Sequence, residues 1–248
     1  TSQGIFGYIP DGTMVGTVFI NTMSAVLSTV YNDVAIELKR KELRASSNAH
    51  ITPNQIEKIY LGSILQGQTR TLIIPYESDN GIPEYFNIYY NQNISFNEPC
   101  NFAREISSDL LLTDKNAINM IVKDYLLNFL DQSAVLSNYI NDKISNLESF
   151  VSRFVSYSND ENPFIRDIIT DCCDVDPNKG QIGKSIAKSE WFNKWGQHYL
   201  KSIASAYRQE WCLNFKDLGP QHFTSATFAN LREKIESIFL GITPPTPS

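Results

Sequence analysis

The chain has 248 residues, of which 42% are hydrophobic and 19% are charged, and its formal net charge is -6. This length suggests two domains or one large domain, with enough apolar residues for a buried core. The negative charge repels phosphate backbones and anionic lipid surfaces, so we expect no binding to nucleic acid or membranes. No apolar run approaches the roughly 18 residues of a membrane span, and the N-terminus lacks a signal pattern. Together with four cysteines that show no disulfide framework, these features predict a cytoplasmic location.

Residues 1–31 predict one strand, one turn and one helix. The run at 4–10 is aromatic and β-branched, as in a buried strand, and Asp11 and Gly12 then suit a turn. Apolar residues at helical spacing predict a helix over residues 14–31. Because a parallel sheet needs several such units, this one looks like the end of a larger domain. We expect its apolar side to be covered by the next domain or by a second copy of the chain, which makes a homo-oligomer one expected state.

Residues 32–101 predict a small antiparallel β-sandwich. The β-rich runs lie at residues 34–38, 59–65, 71–75 and 85–90. Asp79, Asn80 and Gly81 suit a hairpin turn between the last two of these runs. Several short strands over such a length are typical of a sandwich. The polar segment 91–101, which contains a proline, is the predicted connector to the next domain.

Residues 102–243 predict an all-α domain, and residues 244–248 a proline-rich linker. Thr113 and Asp114 suit the start of one helix and Ser133 the start of a second. Pro163 suits the first turn of a third helix, where a proline costs little. A last helix is predicted over residues 224–240, with inward side chains at Phe228, Leu231, Ile235 and Phe239. The predicted fold class is therefore α+β, with several domains.

An aromatic helix over residues 189–214 is predicted to form the centre of this helical domain. Its large side chains recur every four positions and form one wide apolar stripe, which consists of Trp191, Trp195, Tyr199, Ile203, Tyr207 and Trp211. The turn signal at residues 218–220 ends the segment. The candidate core or interaction residues of this region are Trp191, Trp195, Tyr199, Trp211, His198 and Asp217.

The best candidate for catalysis is a thiol and an imidazole, Cys212 and His222. A catalytic thiol needs an imidazole within hydrogen-bond reach. On one continuous helix His198 would lie about 21 Å from Cys212, whereas His222 could fold back across the turn. A cysteine beside Trp211 is more often a small core residue, so we assign no catalytic residue.

Oxygen side chains at Asp174, Asp176 and Asn178 are similar to the first half of a calcium-binding loop. The glycine of such a loop comes one residue late here, at Gly180, and Ser185 stands where the loop needs a bidentate glutamate. A solvated turn is therefore the preferred interpretation. We expect no metal and no other cofactor.

Several motifs resemble proteins that contain a von Willebrand factor type A (VWA) domain, in the branch that includes VWA-Hint (Vint) and fungal U-box proteins. Residues 6–11 (FGYIPD) and 15–21 (VGTVFIN) resemble the last strand and last helix of the VWA domain. Residues 61–68 (LGSILQGQ), 191–200 (WFNKWGQHYL) and 212–217 (CLNFKD) resemble the region that follows it. The resemblance spans nearly the whole chain and is strongest over residues 191–222.

The resemblance implies a non-enzymatic protein-interaction and scaffold module with protein partners. The Asp-x-Ser-x-Ser motif that holds a divalent cation in VWA domains is absent, and so is a Hint segment with its self-cleaving cysteine. Two alternatives remain: a cysteine-dependent hydrolase or protein-processing enzyme that uses Cys212 and His222, and an accessory segment of a ubiquitin-ligase or self-processing polypeptide. Rapid thiol reactivity at neutral pH would favour the enzyme.

Overall fold

The computed structural model describes residues 6–9, 12–40, 56–72, 83–90, 93–99, 114–135, 140–173, 180–213 and 216–243. Four of the described elements are strands: β1 (Thr29–Arg40), β2 (Ile56–Leu65), β3 (Pro83–Tyr90) and β4 (Asn93–Pro99). The described helices are α1 (Val15–Ser28), α2 (Lys115–Val135), α3 (Ile140–Phe154), α4 (Pro163–Cys172), α5 (Gln181–Ala187), α6 (Ser189–Trp191), a π-helical turn (Phe192–Gly196), α7 (Gln197–Gln209), α8 (Leu218–Gln221) and α9 (Ala226–Leu240). Short 3-10 turns cover Gly12–Met14 and Val155–Tyr157. This arrangement is of the α+β class.

The four strands form one antiparallel sheet in the order β2-β1-β3-β4. Val34, Ala35 and Leu38 of the central strand β1 are buried. The expected sandwich is therefore wrong for the described residues, which make a single sheet. The expected polar connector at 91–101 is also wrong, because β4 occupies most of it and pairs with β3. The run at 71–75 and the turn at 79–81 fall largely outside the described residues, and residues 71–72 are not in a strand.

Helix α1 leads directly into the sheet. It ends at Ser28 because Thr29 takes an extended conformation, with φ -68° and ψ 125°, and starts β1. The helix expected over residues 14–31 is thus confirmed except for its last turn. Residues 6–9, which were expected to be a strand, have no regular secondary structure. They are held against the helical region, where the Tyr8 N–H donates to Ser202 Oγ at 3.0 Å.

Helices α2, α3, α4, α5 and α7 surround a common apolar core. It contains Val122, Leu126 and Leu130 of α2, together with residues of α3, α4, α5 and α7. Asp114 caps α2 as expected, since its carboxylate accepts hydrogen bonds from the N–H groups of Asn116 at 3.0 Å and Ala117 at 3.1 Å. Ser133 begins no helix: it is buried in the last turn of α2, and the next helix starts at Ile140. Pro163 begins α4 as expected.

The aromatic segment is not one continuous helix. A π-helical turn separates α6 from α7, and a side-chain carbon at Gly196 would overlap the carbonyl oxygen of Ser185. This glycine therefore lets the turn approach α5 closely. The segment also ends earlier than expected, at Gln209, because Glu210 takes the left-handed conformation with φ 52°.

Helix α9 starts at Ala226, and Ser225 caps it by accepting a hydrogen bond from the Phe228 N–H at 3.1 Å. Phe228 is buried as expected, but the expected inward position of Phe239 is wrong, since this ring is 40% exposed. Phe239 lies at the edge of α9, next to α1, rather than over the core. A second apolar cluster joins α1, β2, α7 and α9, and it consists of Ala25, Leu65, Ala206, Trp211, Cys212, Leu213 and Phe228.

Candidate interaction surfaces

Helix α1 exposes several of its large apolar side chains and buries several small and polar ones. Val15 is 49% exposed, and Phe19 and Val26 are each 51% exposed. These three residues lie within about 40° of one another around a helix with 3.6 residues per turn. The opposite side is buried, and it carries Ile20, Asn21, Ser24, Ala25 and Ser28. A helix on the surface of a folded protein normally turns its apolar side chains inward and its polar side chains to water, which is the opposite arrangement.

The buried side of α1 suits close packing between helices. Ser24 Oγ donates to the Ile20 carbonyl and Ser28 Oγ to the Ser24 carbonyl, both at 2.7 Å, so the helix itself satisfies these hydroxyls. Ala25 belongs to the apolar cluster that contains Phe228 of α9. The outer apolar residues Val15, Phe19 and Val26 stay about half exposed in the described part of the chain.

The exposed side of α1 continues onto α9. The rings of Phe19 and Phe239 lie 6.4 Å apart, measured between their centroids. Leu240 and Ile242 follow and are also exposed. We define the α1–α9 face as Val15, Phe19 and Val26 of α1 with Phe239 of α9. Large contiguous apolar patches on folded proteins mark interaction sites, so this face is a candidate docking surface.

A cavity of about 500 Å³ lies between the N-terminal segment and the helical region. Three parts of the chain contribute its walls: the N-terminal segment, helix α5 with the turn and helix that follow, and the segment before α8. The lining residues are Tyr8, Met14, Gln181, Lys194, Trp195, Tyr199, Ser202, Lys216 and Asp217. We call this space the Trp195 cavity.

Three of the residues predicted from the sequence meet at this cavity. The ring of Trp195 stands edge-on to Tyr199, with 5.8 Å between centroids. The Tyr199 hydroxyl donates to Asp217 Oδ1 at 2.6 Å, and Asp217 is buried. Burial, followed by the neighbouring carboxylates, raises the pKa of Tyr199 well above its usual value, so the phenol stays protonated and remains a donor.

A second carboxyl group, Asp171 of α4, supports the wall of the cavity from behind. Its two oxygens accept hydrogen bonds from the N–H groups of Leu218 at 2.8 Å and Gly219 at 2.7 Å. Burial and the charge of Asp217 raise the pKa of Asp171 to about 8, against the opposing effect of these two donors. A side-chain carbon at Gly219 would overlap the hydroxyl of Tyr207. The cluster therefore fixes the turn that positions Asp217.

The other predicted residues lie elsewhere. His198 is exposed and stacks on Tyr8, with 6.2 Å between centroids. Trp191 lies at the surface, where the ammonium group of Lys188 sits 4.6 Å from its ring centroid. Trp211 is buried in the second apolar cluster. The structure thus groups Trp195, Tyr199 and Asp217, and it places the remaining three apart from them.

Cys212 and His222 contact different partners. Cys212 is 1% exposed, and its Sγ lies 3.2 Å from Oε1 of Gln221. Burial raises the pKa of this thiol. His222 Nε2 lies 2.7 Å from Asp167 Oδ2, and its ring stands edge-on to Phe164. A buried thiol with a raised pKa is a poor nucleophile at neutral pH.

Over the described ranges, no group of three or more His, Cys, Asp or Glu side chains is arranged to hold a metal ion. The loop that resembles the start of a calcium site, at residues 174–178, lies outside these ranges. None of the described helices is both long and apolar enough to cross a membrane.

Residues 162–237 match the model of a protein family described as Vwaint: VWA / Hh protein intein-like. This range is similar to that family. It includes the cavity residues Trp195, Tyr199 and Asp217, whereas α1 lies outside it. No curated protein and no solved structure matches the chain. The expected similarity to VWA and Hint proteins is confirmed over this range, and the fungal U-box branch and the division into domains stay predictions.

Sequence reasoning missed two of these features. The polar stripe of α1 is visible in the spacing of Asn21, Ser24 and Ser28, which lie on one side of a helix opposite Phe19. The spacing of the apolar residues alone does not reveal this polar stripe. Asp171 follows two isoleucines on α4, and nothing local in its sequence indicates that it caps a turn 47 residues later.

Proposed function

We propose that this chain is a non-enzymatic protein-interaction and scaffold module of a larger VWA-containing protein, and that it docks through the α1–α9 face. The observation that carries the proposal is the inverted exposure of α1. Its polar side is buried in the fold, while Val15, Phe19 and Val26 face outward. A helix built in this way needs apolar cover on its outer side.

The partner is a protein rather than a small molecule. The residues from Val15 to Val26 extend over about 16 Å along the helix axis, at 1.5 Å per residue. A small molecule is too short to cover such a length, whereas the apolar surface of a protein is long enough. Complete burial of a valine or phenylalanine side chain contributes about 1.5–3 kcal/mol, so covering the half-exposed residues of this face would contribute several kcal/mol.

The family resemblance supports a VWA domain as the covering surface. Residues 15–21 resemble the last helix of such a domain, and helices of parallel α/β domains bury their apolar side on the sheet. The match over residues 162–237 is to a family associated with VWA proteins. The burial of Cys212 and the raised pKa of its thiol support the non-enzymatic part of the proposal.

Sedimentation velocity over a concentration series tests the α1–α9 face. We expect the chain on its own to self-associate, because a second copy covers the face when no other partner is present. The double substitution Phe19→Gln and Val26→Gln should shift the chain to monomer. Val155→Gln is the matched control, since Val155 is an exposed apolar residue at the end of α3.

A chain that stays monomeric throughout the series would contradict this use of the face. Equal loss of association in the control variant would contradict it too, since the effect would then reflect overall surface hydrophobicity.

A further inference from the structure

The Trp195 cavity has the size and composition of a ligand site. Its volume of about 500 Å³ falls within the range of roughly 300–1,000 Å³ that is usual for ligand pockets. The cavity is partly open to solvent, and it is bordered by the N-terminal segment that the Tyr8–Ser202 hydrogen bond holds in place. It is separate from the α1–α9 face and from the Cys212 and His222 side chains, none of which lines it.

One part of the cavity wall is apolar and aromatic. Trp195 is half-buried and packs edge-on against the buried ring of Tyr199. Met14, also buried, adds an adaptable apolar surface. An apolar or aromatic side chain that enters the cavity would contact these three residues, and aromatic pairs add a further gain beyond the area that they bury.

The charged groups at the cavity favour an anion. Lys194 and Lys216 line it with exposed side chains. The acidic lining residue Asp217 is 2% exposed, and one of its carboxylate oxygens accepts a hydrogen bond from the Tyr199 hydroxyl. Its negative charge is therefore buried in the wall of the cavity. Among the described lining residues, the exposed charges are therefore those of lysines, on a chain whose net charge is -6. Such a local patch attracts an acidic partner that the rest of the surface repels.

We propose that the Trp195 cavity binds an acidic peptide segment. One apolar or aromatic side chain of the peptide enters the cavity and packs on Trp195, Tyr199 and Met14. The carboxylates of flanking residues lie against Lys194 and Lys216. A peptide supplies both features, since residues two positions apart in an extended chain point to the same side, so that carboxylates at these positions face the rim when the central side chain enters the cavity.

Titration of the chain with the peptide acetyl-Glu-Glu-Phe-Glu-Glu-amide tests the proposal. The readout is the NMR signal of the Trp195 indole N–H, assigned with the variant Trp195→Phe. We expect a saturable shift that weakens as salt is added. Substitution of the central phenylalanine by glycine, or of the glutamates by lysines, should remove the shift, because each change deletes one of the two contacts.

Charge reversal in the protein provides the matched controls. Lys194→Glu and Lys216→Glu should each weaken binding by about fivefold, the scale of exposed ion pairs. Lys201→Glu makes the same change at an exposed lysine of α7 that does not line the cavity, and it should leave the affinity unchanged. The double α1 variant used for the α1–α9 face should also bind the peptide normally.

Several outcomes would overturn the proposal. These are an absence of saturable binding, equal binding of the lysine peptide, and equal weakening by Lys201→Glu. None of them bears on the α1–α9 face, and loss of self-association through that face leaves this proposal standing. The two proposals therefore fail separately.

Discussion

Lys143 is an unusual residue because it is a buried lysine. It lies on α3, is 1% exposed, and its ammonium group is centred 3.3 Å from the ring of Phe192. Nζ has no hydrogen-bond partner within the described part of the chain. The ring face attracts the charged form, but burial opposes it more strongly and lowers the pKa of Lys143 to about 8, from 10.5.

This shift predicts a pH-dependent contribution to stability. Between pH 8 and 10.5 the folded chain has lost the Lys143 proton while the unfolded chain keeps it, so the Lys143 contribution rises with pH in this window. Below pH 8 the buried charge is present and destabilises the fold. Lys143→Met should therefore raise the free energy of unfolding at pH 7, on the order of 2 kcal/mol, and the gain should shrink towards pH 10.

Chemical denaturation of wild type and variant at a series of pH values measures this difference. Lys234→Met, at an exposed position of α9, is the control and should leave the pH profile unchanged. A constant difference between wild type and Lys143→Met from pH 7 to pH 10 would contradict the assignment.

The helical spacing of apolar residues in the sequence predicts that Lys143 is buried. Counting from Ile140 at helical spacing, Lys143 falls on the same side of the helix as Leu147, Phe150 and Phe154, and all of these except the half-buried Ile140 are buried. Residue type misleads here, because lysines are almost always exposed. The ring of Phe192 that covers the ammonium group comes from a segment 49 residues later, which no local pattern reveals.

At the scale of elements, a buried ion cluster joins the sheet to the helices. Glu210, just after α7, pairs with Lys123 of α2 at 2.5 Å and with Arg70, beyond β2, at 2.9 Å. The Gln68 amide donates to the Glu210 carbonyl at 2.7 Å. Glu210, which takes the left-handed conformation, thus connects α2, the segment after β2 and the end of α7.

Loss of this carboxylate should destabilise the chain strongly. Glu210→Ala leaves Lys123 and Arg70 without their buried counter-ion, and such a change costs about 3–5 kcal/mol. Asp131→Asn is the control, because it breaks the exposed pair with Arg208 and should cost under about 1 kcal/mol. Denaturant unfolding at pH 7 compares the two, and similar small costs would show that the junction does not depend on Glu210.

Local signals predicted the elements whose ends are determined locally. Asp114 and Pro163 mark the starts of α2 and α4 correctly, because a cap and a first-turn proline act through the nearest backbone groups. The end of the aromatic segment was missed because it depends on distant charges that hold Glu210. β4 was missed because its polar sequence gains order by pairing with β3.

At the scale of the whole molecule, the parts of the chain share contacts that no local pattern encodes. The second apolar cluster takes Ala25 from α1, Leu65 from β2 and Phe228 from α9. The hydrogen bond from Tyr8 to Ser202 closes one side of the Trp195 cavity across 194 residues. Sequence analysis therefore selected Trp195, Tyr199 and Asp217 individually, but it could not place them around one space.

The exposed side of α1 has the clearest consequence at this scale. Within the described residues the fold buries the polar side of α1 and leaves Val15, Phe19 and Val26 about half exposed, and in our proposal another protein surface covers them.

Site-specific photo-crosslinking from position 19 tests that point most directly. A benzophenone amino acid replaces Phe19 in this chain, and the same substitution at Val155 is the control. We expect crosslinks from position 19 that map by mass spectrometry to one apolar protein surface, with few from position 155. Crosslinking at position 19 that is no stronger than the control, or that is spread over many surfaces, would contradict this expectation.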